Sequence, residues 1–190
     1  REGPEIHGSF PVSTQYAPIN KVFTLNVQAI DPVGVQEIVV LLDGESAGVD
    51  TFAGFLDQWQ SDIDTALLGD GRHVIEVVAT DFLWNSPGGL STFYTDNTAP
   101  QVSSGLPAIT NLSSVEFSVN SNEATETTAS IRIYVDDGLT STTSSPALNT
   151  TLHTIDIGCN EGFEVRIEVE DTAGNIGRAF KDIYCDDIPP

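Results

Sequence analysis

The feature that most constrains this chain is an internal repeat. Asp81 to Pro100 reads DFLWNSPGGLSTFYTDNTAP, and Asp171 to Pro190 reads DTAGNIGRAFKDIYCDDIPP. Without a gap, Asp81 meets Asp171, Asn85 meets Asn175, Tyr94 meets Tyr184, Asp96 meets Asp186 and Pro100 meets Pro190, at a constant offset of 90. Upstream, residues 73–80 fall on residues 163–170 with one shared alternation, and Pro4-Glu5-Ile6 is similar to Pro100-Gln101-Val102. Self-similarity at a fixed period means copies of one structural unit. The 190 residues therefore divide into unit 1, residues 1–97, and unit 2, residues 98–190, each the size of a small domain. Because Pro190 aligns with the start of the second unit, the sequence reads as two links of a longer array.

Within each unit the hydrophobic period is two. Phe163, Val165, Ile167 and Val169 alternate with Glu164, Arg166, Glu168 and Glu170, which is a strand with one buried and one wet face. The matching stretch of unit 1 puts His73, Ile75, Val77 and Ala79 inward and Val74, Glu76, Val78 and Thr80 outward; this outer face is less polar, as a partly covered face would be. Phe23, Leu25, Val27 and Ala29, and Val115, Phe117 and Val119, obey the same rule. Residues 35–43 and 131–135 supply further strands, each running into an Asp-Gly turn at Asp43-Gly44 and Asp137-Gly138. No segment sustains a period of 3.6. Short strands in units of this length predict an all-β chain of two tandem antiparallel β-sandwiches.

Charge narrows the partners. Twenty-eight acidic against 7 basic residues give −21. Unit 1 has 14 acids and 3 bases, or −11, and unit 2 has 14 and 4, or −10. Such a surface repels phosphate, which argues against nucleic acid and anionic membranes. The longest apolar run, residues 38–42, is far below the ~20 residues of a membrane helix.

The strand bearing Gln58-Trp59-Gln60, the corner at residues 67–71, the segment HVIEVVATD and the DNTAP junction together resemble bacterial immunoglobulin-like repeats (Big/cadherin-like) of cell-surface and secreted proteins. Unit 2 carries the family's Asp-x-x-Gly-Asn turn at residues 171–175; unit 1 departs from it with Trp84 in the Gly position. The resemblance implies immunoglobulin-like sandwiches and an extracellular structural or adhesive module, stalk or cell-adhesion unit. Two other roles fit the same pattern: a subunit of an extracellular filament or pilus assembled by strand complementation, with residues 1–20 as donor, and a carbohydrate-binding accessory of a secreted hydrolase. Partners are then neighbouring immunoglobulin-like repeats or like subunits, glycans, or a cell-surface protein. Cadherin-like junctions imply calcium, for which Asp81, Asp96, Asn97, Asp171, Asp186 and Asp187 are the candidate ligands.

Cys159 and Cys185 both lie in unit 2. A turn at residues 172–176 brings Cys185 opposite about residue 163, with Cys159 just beyond, so the two meet at one end of the sandwich as a disulfide; two free buried thiols or a metal pair are the alternatives. Asn111-Leu112-Ser113 and Asn149-Thr150-Thr151 fit the N-glycosylation pattern. No catalytic residues emerge. Gly44-Glu45-Ser46-Ala47-Gly48 has the spacing of a hydrolase elbow, but no helix follows it. Trp59 reads as core. Trp84, flanked by Phe82 and Leu83 at a turn tip, is the candidate contact residue, whether toward a neighbouring domain or subunit or a sugar ring.

Overall fold

The computed structural model describes residues 2–50, 54–122, 128–144 and 152–188. Its contacts divide the chain into residues 1–97 and 98–190. Both units are built almost wholly from strands, and no α-helix occurs among the described residues.

Unit 1 contains β1 (Glu5–Ser9), β2 (Val22–Leu42), β3 (Glu45–Asp50), β4 (Gly54–Asp64), β5 (Gly71–Asp81) and β6 (Gly88–Thr95). The long β2 serves both layers of a sandwich. Its residues 22–30 pair with β1 and β4, whereas residues 35–42 pair with β3 and β5, which in turn pairs with β6. The crossing falls at residues 31–34, where the Asp31 carboxylate accepts the Val33 N–H at 2.6 Å and Gly34 adopts φ +109°. A side chain at Gly34 would also strike the Phe82 ring, its Cβ lying 2.9 Å from that ring. Leu25, Val27, Ile38, Val40, Ile75, Val77 and Phe93 fill the space between the layers, as the period of two requires.

Unit 2 repeats the plan. Its strands are β7 (Val102–Ser104), β8 (Ile109–Thr110), β9 (Ser114–Ser121), β10 (Thr128–Val135), β11 (Gly138–Ser144), β12 (Leu152–Asp156), β13 (Glu161–Asp171) and β14 (Ile176–Cys185). One layer runs β12-β9-β7 and the other β11-β10-β13-β14-β8. All pairings are antiparallel except β8 with β14, and a single parallel bridge, Ile19 to Thr95, marks the same place in unit 1. Phe117, Val119, Ile131, Ile133, Val165, Ile167 and Val169 form the core.

The hairpin turns conform to expectation with one shift. Asp43 and Gly44 both have positive φ, as a two-residue turn between twisted strands requires. In unit 2 the turn centres on Asp136 and Asp137, at φ +46° and +64°, one residue before the expected Asp137-Gly138. Aspartate holds this conformation because its side chain works there. Asp136 accepts the Glu164 N–H at 2.9 Å, and Asp43 likewise accepts the Val74 N–H at 2.8 Å, tying each hairpin to the neighbouring strand.

Candidate functional site

The apex of unit 1 is the turn between β5 and β6. Asp81 Oδ1 accepts the N–H of Leu83 at 2.7 Å and of Asn85 at 2.9 Å, while Asn85 Nδ2 donates to Asp81 Oδ2 at 2.6 Å. Unit 2 builds the same turn: Asp171 Oδ1 accepts from Ala173 and Asn175, and Asn175 Nδ2 donates to Oδ2. Both aspartates are buried, and both turns are closed by an N–H from the fourth residue, Trp84 to Asp81 O and Gly174 to Asp171 O. That fourth residue is left-handed in each, at φ +95° for Gly174 and +64° for Trp84. Glycine takes this conformation freely; an L residue does so at a cost of about 1 kcal/mol. Unit 1 bears that cost for a side chain that is 76% exposed, beside Phe82 and Leu83 at 44% each. The tip lies at the end of unit 1 where the chain comes in, since a Cβ on Gly3 would touch Asn85 and Pro87. Asn97 lies at the opposite end, beyond the far terminus of β6, where its side chain donates to Thr65 O and Leu68 O.

The acidic residues at the ends of the units serve local structure. The oxygens of Asp81 and Asp171 are occupied by their own turns. The Asp96 N–H donates to Ile19 O and the Asp186 N–H to Thr110 O, while Asp186 Oδ1 accepts the Ile188 N–H and Asp187 accepts from Asn160 Nδ2 at 2.8 Å. Among the described residues no three His, Cys, Asp or Glu side chains gather where a metal ion could sit. Calcium takes 6 to 8 oxygen ligands, whereas the Asp81 and Asp171 oxygens accept hydrogen bonds within their own turns.

Cys159 and Cys185 are joined in a disulfide. Cys185 stands across from Glu161, two residues from the expected partner, because the 171–175 turn closes early enough to pair Glu170 with Ile176. Asn111 is exposed; Asn149 lies outside the described residues. Residues 1–20 do not stand free as a donor strand: Glu5–Ser9 pairs with residues 26–30 of its own unit, and Ile19 bridges to Thr95. The support those residues lent to strand donation is thereby removed.

One constellation escaped the sequence. His73 places Nδ1 2.6 Å from Asp43 Oδ2 and Nε2 2.9 Å from Thr95 Oγ1 and 2.8 Å from Gly69 O. Burial opposes ionisation of Asp43, but the hydrogen bonds from His73 and the Val74 amide outweigh it and hold the carboxyl below its ordinary value. The order Asp-His-Thr is that of a nucleophilic triad. Its hydroxyl, however, is committed to Gly69 O at 2.6 Å and Thr95 is 3% exposed, so no substrate reaches it. The group clamps the β2–β3 hairpin to β5 and β6. The elbow-like glycines are structural as well: Gly44 needs φ +84°, and a Cβ at Gly48 would lie 2.6 Å from the buried Trp59 indole.

No protein-family model and no curated protein matches this chain. Among solved structures it is similar to part of a 1.5-MDa bacterial ice-binding adhesin concerned with host cell surface retention, with TM-score 0.52 and 15% identity over 98% of this chain and 66% of that one. The fold is an immunoglobulin-like β-sandwich. Fibronectin(III)-like modules of Clostridium thermocellum CbhA superpose with TM-score 0.47 at 11% identity, covering 96% and 94% of the two chains. A Ca2+-stabilized ice-binding adhesin of an Antarctic bacterium gives 0.47 at 14%, covering 97% of this chain and 48% of that one.

Proposed function

We propose that the chain is an extracellular structural and adhesive module whose two immunoglobulin-like units carry a contact site, the apex Phe82-Leu83-Trp84 of unit 1. The observation that carries this reading is the left-handed Trp84. A turn that unit 2 makes with Gly174 is made in unit 1 with a large, exposed indole, and strain retained at an exposed aromatic residue is the mark of a recognition element. Supporting it are the disulfide, which belongs to an oxidising compartment, and the likeness in fold to an adhesin. The partner presents a shallow apolar surface, either on a cell-surface protein or on a sugar ring, and aromatic side chains suit both. The test is binding of the labelled chain to an array of glycans and of cell-surface ectodomains, beside Trp84→Gly. Loss of binding in the variant, with the melting temperature kept, is the expected result. Binding that survives the substitution, or no binding by the parent chain, sinks the apex reading.

A further inference from the structure

Three of the chain's six glutamines lie on one face. The layer formed by β1, residues 22–30 of β2 and β4 presents its outward side chains in rows set by the strand registers. His7, Gln28 and Gln58 make one row, and Ser9, Asn26 and Gln60 make the next. Together these six residues line a groove of about 570 Å³. Among the described residues, the four amide side chains make no hydrogen bond to the protein. Amides elsewhere in the chain hold structure. Asn85 and Asn175 close their turns on Asp81 and Asp171, and Asn97 donates to Thr65 O and Leu68 O. Those of the groove keep their donors and acceptors for whatever enters it.

Charge points to the class of ligand. In a chain of −21, these two rows contain no carboxylate, Lys or Arg. Glu5 stands in the row on one side, 3.3 Å from His7 Nε2, and Asp62 in the row on the other, accepting from Thr24 Oγ1 at 2.7 Å. The fold does not ask for neutrality here, because the equivalent layer of unit 2 sets Thr154 beside Glu116 and Asp156 beside Ser114. A protein partner would need apolar anchors at the centre of its contact, and the two rows hold none. An amide offers a donor and an acceptor side by side, which matches neighbouring hydroxyls on a sugar ring. We propose that the groove across β1, β2 and β4 binds a neutral glycan, with Asn26, Gln28, Gln58 and Gln60 bonding to its hydroxyls. Glu5 and Asp62, one on each side, turn away sugars that carry carboxylates. From strand spacing and rise, the six-residue patch measures roughly 10 Å by 7 Å, room for a short stretch of sugar rings. Each contact exchanges a hydrogen bond to water for one to the ligand, so affinity lies in about the millimolar range. This site is separate from the Phe82-Leu83-Trp84 turn.

NMR titration of the full, nitrogen-labelled chain tests this, because it reads the side-chain amide groups directly. The probes are cellotetraose, maltotetraose, mannotetraose and chitotetraose, with tetragalacturonate as the acidic comparison. At least one neutral probe should shift the side-chain signals of Asn26, Gln28, Gln58 and Gln60 saturably, and tetragalacturonate should not. Gln58 and Gln60 are exposed, so the double variant Gln58→Ala, Gln60→Ala keeps its fold, as circular dichroism melts will show. It should bind the same probe about tenfold more weakly. The proposal is overturned if all four neutral probes leave these signals in place, if tetragalacturonate binds as well as they do, or if the double variant titrates like the parent. Capture of a protein ectodomain through these residues, with no response to any sugar, overturns it as well. Trp84→Gly should titrate like the parent. Binding that the double variant keeps and Trp84→Gly loses belongs to the apex, so either reading can fail alone.

Discussion

Reduction of the disulfide should weaken one unit and spare the other. Cys159 and Cys185 are separated by 26 residues. Closing a loop of that length removes chain entropy from the unfolded state equivalent to about 3.5 kcal/mol at room temperature. Cys185 is fully buried in the unit 2 core, where a reduced thiol packs as a small apolar group and adds little further penalty. For a unit of this size, 3.5 kcal/mol corresponds to a fall in melting temperature of roughly 15–25 °C. The chain supplies its own control, since both tryptophans, Trp59 and Trp84, lie in unit 1. Differential scanning calorimetry with and without reductant should show one transition moving down by that amount, while tryptophan fluorescence melts at an unchanged temperature. A fluorescence transition that moves with the calorimetric one would mean that the units unfold together, and the division of the chain into two folding units would be wrong. No shift in either would refute the entropic argument.

Three further outcomes follow from the same geometry. Gly174→Ala should destabilise unit 2 by about 1 kcal/mol, because the space beside Gly174 is open and only its left-handed backbone resists a side chain, whereas Trp84→Gly should leave unit 1 as stable or slightly more so; denaturant melts decide. On acidification unit 2 should weaken in two stages. Burial holds buried His153 below its ordinary 6.5, so the unfolded chain takes up that proton first and stability is lost as pH falls below 6.5. Glu168, whose burial is outweighed by Arg178 and Arg132, sits below its ordinary 4.5, and its contribution goes as pH falls through the folded value. His153→Phe, stacked as His153 is near Phe117, should abolish the first stage, and a pH series of melts that keeps it would contradict this. Calcium chelation should shift neither melting transition, because the Asp81 and Asp171 oxygens are taken by their own turns; a shift would show a metal site that the two turns do not make.

What the sequence discloses here is what depends on neighbours along the chain. Alternation in residues 163–170 and 73–80 is a strand's own property, so the strands and their inner faces could be read from spacing, whereas the burial of Trp59 came from the resemblance to immunoglobulin-like repeats. The disulfide was also within reach, because one hairpin turn relates Cys185 to its partner, and an error of two residues in register still brings the ends together. The Asp43-His73-Thr95 clamp was out of reach: its members are 30 and 22 residues apart on three different elements, and only the closed sandwich brings them within hydrogen-bonding distance. Residues 1–20 misled for a related reason. Their pattern is weak because Glu5–Ser9 lies mostly exposed along one side of β2, with a single apolar residue, Ile6, packed toward the core.

The outer face of unit 1 lies between these cases. Val74 and Val78 announced it as residues that alternation alone did not explain, yet a lone strand cannot say whether such residues are covered. The registers of β5 with β2 and β6 add Val39, Leu41 and Leu90 to the same face and turn an irregularity of one strand into a surface. Its counterpart in unit 2 shows that the topology does not require apolar residues there, since Arg132, Glu168 and Arg178 fill the same layer with charge. Two copies of one fold that share core, turns and pairing therefore differ at two surfaces, the tip at Trp84 and this sheet face.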